Sequence, residues 1–412
     1  MRIIILTQYY PPETGAPQNR LSDLAQRLHR SGVEVTVHTA MPNYPQMKKH
    51  RGYRWRFYKK ERVEGITVHR SWIYCGTSKR IIPRLFNYFS FVITSVITGI
   101  FVLRRSDFLL VESPPLFLGY SAYILSRCKR AKMIFNVSDL WPESAEKLGL
   151  VTSRRMLRMA YGLERFCYRK SAFVTGQTQG ICRSISERFP GKTVQWLPNG
   201  VDMDSFVPCK TDLLWRSKNG FGCDDFLILY AGIIGHAQGL EVIIRAAEIL
   251  KEYPSIHFII LGSGPEKDGL INMVEEKGIS NVTFPEGVAR KEMPEIIASV
   301  NASVVPLKKL ELFTGAIPSK IFEALAMEKP ILLGVEGEAY DLFVKEAQAA
   351  LFFEPENAED LARQTLALFN KHDEAMAMGK RGREFAIRRF NRKTIAESLK
   401  ELMVKQLYTN YL

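Results

Sequence analysis

The sequence predicts an α/β protein made of two doubly wound domains. Three observations carry this. Apolar strand-like runs alternate with amphipathic helical stretches. The alternation starts afresh after Pro198-Asn199-Gly200-Val201-Asp202, whose turn chemistry marks a hinge. The chain has 412 residues, a length that suits two domains better than one. The domains are read as 1–200 and 201–385.

In the first half, the run Arg2-Ile-Ile-Ile-Leu6 is typical of a buried parallel strand. Pro11, Pro12 and Gly15 punctuate a loop. Leu21, Leu24, Ala25 and Leu28 give 19–31 helical periodicity, which Gly32 stops. Strands follow at 33–39, 108–112, 132–137, 173–176 and 194–197, with a helix between the second and third. In the second half, strands are expected at 226–231, 257–261, 281–284, 302–306 and 331–334. Helices are expected at 239–251 and 319–327, and the tail from Ala358 reads as helices. In such folds ligands bind beyond the carboxyl ends of the strands.

The segment Phe86–Leu103 breaks the pattern with 18 uncharged residues. Lys79, Arg80 and Arg84 precede it, and Arg104 and Arg105 follow. That length sits at the threshold for a membrane span. Asn87, Ser90, Thr94, Ser95 and Thr98 dilute it, and a span would split the first sheet across a bilayer, so a span is rejected. Two readings stay open. One is a buried helix covering the sheet. The other is a partly exposed apolar patch with a basic rim on the inner membrane face.

Composition is ordinary for a globular chain, with 46% hydrophobic and 24% charged residues. Charge is not evenly spread. Residues 1–200 carry 32 Lys and Arg against 12 Asp and Glu, while residues 201–412 carry 25 against 31. A basic first half suits an anionic partner: nucleic acid, anionic lipid or a phosphorylated substrate. The six cysteines form no C-x-x-C pair, so zinc spacing is absent and a reducing cytoplasm is expected. The chain opens directly on a strand pattern with no leader expected.

Thr314-Gly-Ala-Ile-Pro-Ser-Lys320-Ile-Phe-Glu323 carries the strongest chemical signal. It is a glycine-containing loop running into a helix start, where free N–H groups hold diphosphates. Lys320 adds a full charge, and Glu323 can accept from ribose hydroxyls. Two further turns, Gly232–Leu240 and Gly262-Ser-Gly264, let backbone approach a phosphate. None is a Walker loop or a G-x-G-x-x-G, which disfavours a kinase or dehydrogenase. In the first half, Glu13, Asp139 and Glu143 are the acidic candidates on strand-end loops, and Arg20 is a basic one.

At these residues the sequence resembles the retaining glycosyltransferases of the GT-B fold, the glycosyl transferases group 1 family, over nearly its whole length. The resemblance rests on Tyr10-Pro-Pro-Glu-Thr-Gly15, Asp139-Leu-Trp-Pro142, Pro198–Asp202, Tyr230-Ala-Gly232, Ala237-Gln-Gly-Leu240, and Pro318-Ser-Lys320 with Glu323. It looks most like the WbuB-like N-acetyl-L-fucosamine transferases of O-antigen and capsule assembly. The resemblance implies two facing Rossmann-like domains with a cleft, and a tail, 386–412, that crosses back to the first. It implies a nucleotide-sugar donor, with UDP favoured, bound through Gly15, Gly235, His236, Gln238, Gly262, Gly264, Gly287, Pro318, Ser319, Lys320 and Glu323. Catalysis would rest on Asp139, Lys320 and Glu323. The acceptor, a polyprenyl diphosphate-linked saccharide, would meet Glu13, Thr14, Arg20, Trp141 and Glu143. No metal or other cofactor is implied, and the inner face of the plasma membrane is the implied location.

Three departures stand out. Gly315 occupies the place of the family's first of two glutamates, the second being Glu323. Gln238 replaces a usual basic residue, with His236 nearby. Ser138 replaces a histidine common before Asp139. The rival readings are a nucleotide-sugar epimerase, a nucleic-acid-binding protein (for which no RRM, KH or zinc signature speaks) and a non-catalytic scaffold.

Overall fold

A computed structural model of the chain describes residues 1–13, 15–44, 47–76, 81–147, 149 and 151–408. Thr14, Lys79 and Arg80 lie outside the described residues, as does the side chain of Arg84. The chain forms two units, Met1–Asn199 with Arg392–Leu412, and Gly200–Asn391. The return to the first unit thus begins at Arg392, later than 386, because the helix before it belongs to the second unit.

The strands of the first unit are β1 (Arg2–Leu6), β2 (Glu34–Ala40), β3 (Tyr58–Val63), β4 (Ile66–Ser71), β5 (Phe108–Ser113), β6 (Lys132–Val137), β7 (Phe173–Gly176) and β8 (Val194–Trp196). They form one sheet in the order β3-β4-β2-β1-β5-β6-β7-β8, parallel except for β3 against β4. The helices are α1 (Ala16–Arg30), α2 (Ile81–Val102), α3 (Leu118–Lys129), α4 (Glu143–Lys147), α5 (Arg154–Lys170) and α6 (Gln179–Arg188). The period of two along β1 feeds two cores. Ile3 and Ile5 pack with α1 and the C-terminal helix Arg392–Tyr408, while Ile4 and Leu6 pack with α2, α3 and α5. Lys400 Nζ ties the C-terminal helix to the end of α1 by donating to Ser31 O (2.6 Å). The β3–β4 hairpin was not expected. Its edge strand, Tyr-Lys-Lys-Glu-Arg-Val, is polar, and Glu64 and Gly65, both at positive φ, make the turn.

The second unit contains β9 (Phe226–Ile233), β10 (Ile256–Ser263), β11 (Val282–Thr283), β12 (Ala302–Pro306), β13 (Ile331–Gly334) and β14 (Ala350–Phe352). They run parallel in the order β11-β10-β9-β12-β13-β14. Its helices are α7 (Leu213–Lys218), α8 (Glu241–Ile249), α9 (Lys267–Glu276), α10 (Met293–Ala298), α11 (Lys320–Ala326), α12 (Glu338–Tyr340), α13 (Ala358–Asn370) and α14 (His372–Arg389). Entry and exit of this unit are tied together, since Val201 N donates to Phe390 O (2.9 Å). Phe390 stacks with Phe322, Phe343 and Phe385 beneath α11.

The ends of β9 and β10 approach so closely that glycine is obligatory. A Cβ on Gly262, whose φ is +154°, would collide with the Gly232 carbonyl, and one on Gly264 would collide with the Ile234 backbone. Gly287 faces open space. Gly262→Ala is therefore expected to lower stability by about 1–3 kcal/mol, and Gly287→Ala by less than about 0.5 kcal/mol. Urea unfolding of both variants checks this.

Candidate functional site

In each unit the strand order reverses beside its first strand, between β1 and β5 and between β9 and β12. Successive connections leave that point in opposite directions, which opens a crevice at the carboxyl ends of the strands. The residues singled out in the sequence lie beyond the carboxyl ends of β1, β6, β9, β10, β11 and β12 or on the helices that follow.

In the second unit, Lys320 opens α11 and reaches back across β9. Its Nζ lies 3.5 Å from the centroid of the Tyr230 ring. A Cβ built on Gly232 would come within 3.1 Å of that Nζ, so the ammonium sits where only a glycine leaves room. Tyr230 is held by its own hydroxyl, which donates to Ile233 O (2.5 Å). Desolvation pulls the Lys320 pKa down to about 7, and Glu323 opposes the shift. The face of the Tyr230 ring also favours the charged form. Lys320 is half-buried as a residue, its ammonium lying over the Tyr230 ring.

Around it, the turn His236–Gln238 follows β9, and Gly239 takes a left-handed conformation (φ +58°). Lys308, just past β12, packs its stem against Gly239 and brings its Nζ to 3.0 Å from His236 Nε2. Lys308 was not foreseen; its signal was a Lys-Lys pair directly after a strand. Glu323 stands half-buried with Arg290 Nη2 at 3.9 Å, which brings the loop holding Gly287 towards α11. A small pocket beside Lys308 is lined also by Leu310, Phe313, Thr314 and Glu336. A Cβ on Gly315 meets nothing within 4 Å, so packing does not forbid a larger residue there. Pro318 and Ser319 precede α11, but Ser319 makes no side-chain cap. The helix is only seven residues long, shorter than expected. Charge at this end comes chiefly from Lys320 itself. Gly262 and Gly264 are accounted for by the close approach of neighbouring backbone.

In the first unit, Gly15 caps α1. Glu13 is turned inward. Its Oε1 accepts from Asn43 N and Tyr44 N (both 2.8 Å) and its Oε2 from Tyr10 N (3.2 Å). A carboxylate so enclosed fastens the β1 loop to the β2 loop and presents no face to an acceptor, correcting the expected role. Arg20 is likewise internal. Its Nη2 donates to Glu112 Oε1 and to Ser138 Oγ (2.9 Å), while Asn136 Nδ2 donates to Glu112 Oε2 (2.6 Å). Ser138 also donates to Glu112, so the residue in the place of the family's histidine belongs to this buried network.

Asp139, Trp141 and Glu143 remain at the surface of the loop after β6. Asp139 is exposed as a residue, but one carboxylate oxygen, Oδ1, accepts from Ser144 Oγ. Desolvation on that side raises its pKa, the Ser144 bond opposing. Trp141 is half-buried against Phe117. Glu143 pairs with Lys147 (3.1 Å). Among the described residues no group of three or more His, Cys, Asp or Glu is gathered as a metal site would need.

Two family models match the two halves of the chain. The model described as a glycosyl transferase 4-like domain matches residues 15–200, and that of the glycosyl transferases group 1 matches residues 212–385. Each half of the chain is thus similar to a glycosyl transferase domain, the second half to the group 1 family. It is an enzyme of the hexosyltransferase type that uses a nucleotide-sugar donor. A relative spanning nearly the whole chain is the colanic acid biosynthesis glycosyl transferase WcaI of Escherichia coli (strain K12). It is 26% identical over 410 residues, covering 96% of this chain and 98% of WcaI. Among solved structures, sucrose-phosphate synthase from Thermosynechococcus elongatus superposes with a TM-score of 0.75 at 17% identity, covering 100% of both chains. Anabaena HepE in complex with UDP and glucose superposes with a TM-score of 0.71 at 18% identity, covering 98% of this chain and 99% of HepE. The fold is GT-B.

The buried Arg20–Glu112 pair gives a direct test of the reassignment of Arg20. Arg20→Ala leaves Glu112 buried without its cation and is expected to cost about 3–5 kcal/mol of stability. Denaturant unfolding measures it. A change below about 1 kcal/mol would return Arg20 to a surface role.

Proposed function

We propose that this glycosyltransferase transfers a sugar, with net retention at the anomeric carbon, from a UDP-linked donor to a polyprenyl diphosphate-linked saccharide in exopolysaccharide assembly. The donor diphosphate lies at the β9/β12 switch point, and the acceptor at the β6 loop. The single observation that carries this is Lys320. It is a desolvated ammonium aimed at the one place where glycine backbone, a strand reversal and a helix start converge. An anion beside it restores its charge. WcaI's naming for colanic acid biosynthesis supports exopolysaccharide assembly, and HepE's bound UDP supports the base. The basic first unit supports a lipid-phosphate acceptor at the cytoplasmic membrane face. An N-acetylated deoxyhexosamine such as N-acetyl-L-fucosamine remains the proposed sugar.

In the reaction, the bond from the anomeric carbon to the β-phosphate oxygen breaks and its electron pair stays on that oxygen. Lys320 neutralises the charge that develops there, an electrostatic contribution fixed before the reaction begins. The acceptor oxygen bonds to the anomeric carbon on the same face, and its proton passes to the departing phosphate oxygen. Asp139 orients the acceptor hydroxyl, Glu323 accepts from the ribose, and His236 with Lys308 adds positive potential to the diphosphate. No divalent metal is needed in this scheme, since lysine supplies the charge. Gly315 leaves space beside the sugar where the family's first glutamate would stand, and the Glu336 pocket offers other contacts.

Two results test the proposal. UDP at about 100 times its dissociation constant should raise the melting temperature by about 5–10 °C, with GDP, ADP, dTDP and CMP giving less. Lys320→Ala should lower turnover at least about 100-fold and by more than it lowers donor affinity. Turnover unchanged in the purified variant would overturn the role of Lys320. No shift with any nucleotide would overturn the donor site.

A further inference from the structure

The helix α2 is turned inside out. Its buried side is largely polar, with Phe91 the large apolar residue on it. Asn87 donates to Tyr74 O and accepts from Gln8 Nε2 (2.8 Å). Thr94 donates to Trp72 O, and Thr98 meets both Ser71 Oγ and His38 Nε2 (3.2 Å). These bonds pin the helix flat against the β2 and β4 end of the sheet. Its outer side is apolar. Phe86, Phe89, Ile93, Ile97 and Ile100 recur every three or four residues along one face and are all exposed, Ile93 by 59%. Phe101 beside them is 82% exposed.

The helices α2, α3 and α5 lie on the same face of the sheet over one core, so their outward positions share a surface. Tyr120 and Ile124 of α3 and Met159 of α5, 76% exposed, continue the apolar ground. The charge on this surface is mostly positive, with Glu146 at its edge accepting from the Tyr161 hydroxyl of α5. α2 and α3 contain no Asp or Glu, and the one in α5, Glu164, is buried under Arg188. Arg104 and Arg105 stand exposed beyond α2, Arg127 beyond the middle of α3, and Arg155 and Arg158 on α5.

We propose that the outward face of α2, α3 and α5 docks on an anionic lipid bilayer, with α2 lying in the plane of the interface and not crossing it. The stretch Leu85–Val102 is long and apolar enough to span a membrane, but only 33% of it is buried, the reverse of a soluble core helix. Spanning would strip Asn87, Thr94 and Thr98 from their partners and cost Gln8 and His38 a hydrogen bond each inside the sheet. Lying flat keeps every one of those bonds and gives the apolar face a lipid medium, while the arginines reach phosphate headgroups. A row of rings then joins this face to the acceptor loop. Phe89 stacks on Phe117 (4.6 Å between centroids) and Phe117 on Trp141 (5.6 Å). The loop bearing Asp139 therefore adjoins the docked surface, where a lipid-carried diphosphate arrives. This deepens the proposed lipid-linked acceptor and rests on that reading for its purpose, but not for its test.

The test uses the full chain, without donor or acceptor, in flotation with vesicles of phosphatidylcholine alone or mixed with phosphatidylglycerol. Binding is expected to the mixed vesicles, to weaken with salt, and to be released by alkaline carbonate. The outward double variants Ile97→Glu with Phe101→Glu, and Arg155→Ser with Arg158→Ser, should each weaken it by about tenfold or more. Both pairs are exposed, and melting temperature with and without UDP is measured on the same samples. An unchanged UDP shift with lost flotation supports docking and leaves the transferase reading standing apart from it. Equal binding to both vesicle types, no binding, or resistance to carbonate would overturn the proposal. So would a dimer in sedimentation that Phe101→Glu disperses while wild type ignores vesicles, since a second copy would then cover the face.

Discussion

Each unit of this chain is organised by a reversal of strand order beside its first strand. A parallel sheet whose connections turn one way on one side and the other way beyond must part at that point, and the loops there have nothing to pack between them. In the second unit those loops leave β9 and β12. They bring a glycine and an aromatic ring of β9 together with a lysine of α11. In the first unit the loops leave β1, β5 and β6. There the space is filled by the chain itself, through Arg20, Glu112, Ser138 and Asn136, and only the β6 loop with Asp139 and Trp141 stays outward.

The two units therefore treat buried charge in opposite ways. Arg20 and Glu112 neutralise each other, share further hydrogen bonds and act as structure. Lys320 is half-buried over a ring face, with Glu323 favouring its charged form, and desolvation takes its pKa to about 7. The sign of its effect on folding follows. Between pH 7 and the ordinary lysine value near 10.4, the unfolded chain binds more protons than the folded one, so this group makes stability rise with pH. Below pH 7 the full cost of holding the ammonium in the fold is present. An anion that pairs with it removes that cost, which couples donor binding to protonation and to the stability of the second unit.

Much of the fold was legible because buried parallel strands are written as unbroken aliphatic runs. The strands at 132–137, 302–306 and 331–334 fall where the sequence places them. The β3–β4 hairpin was not legible, since its outer strand is charged and half-exposed, and an edge strand follows the solvent more than the core. Lys320 could be read from Pro-Ser-Lys with Glu323, but Lys308 reaches His236 and Arg290 reaches Glu323 from separate loops that carry no local pattern. Glu13 and Arg20 were misjudged for one reason: a charged residue on a strand-end loop looks the same in sequence whether it faces a ligand or a neighbouring backbone. The apolar run 86–103 left two readings open because composition does not say which side of a helix meets the sheet. Its asparagine and threonines meet the sheet and its apolar side is exposed, which the pattern alone did not tell.

The central claim is that a diphosphate sits against Lys320 and restores its charge. Proton uptake on binding measures this directly, through titration calorimetry of UDP-glucose in buffers of different ionisation enthalpy. A nucleotide sugar has no phosphate group of its own that titrates in this range, so uptake reports the protein. At about pH 6 uptake should be near zero, at about pH 8 it should approach one proton per site, and Lys320→Met should abolish it. Binding at about pH 8 with no proton uptake, or uptake that survives in Lys320→Met, would contradict the account.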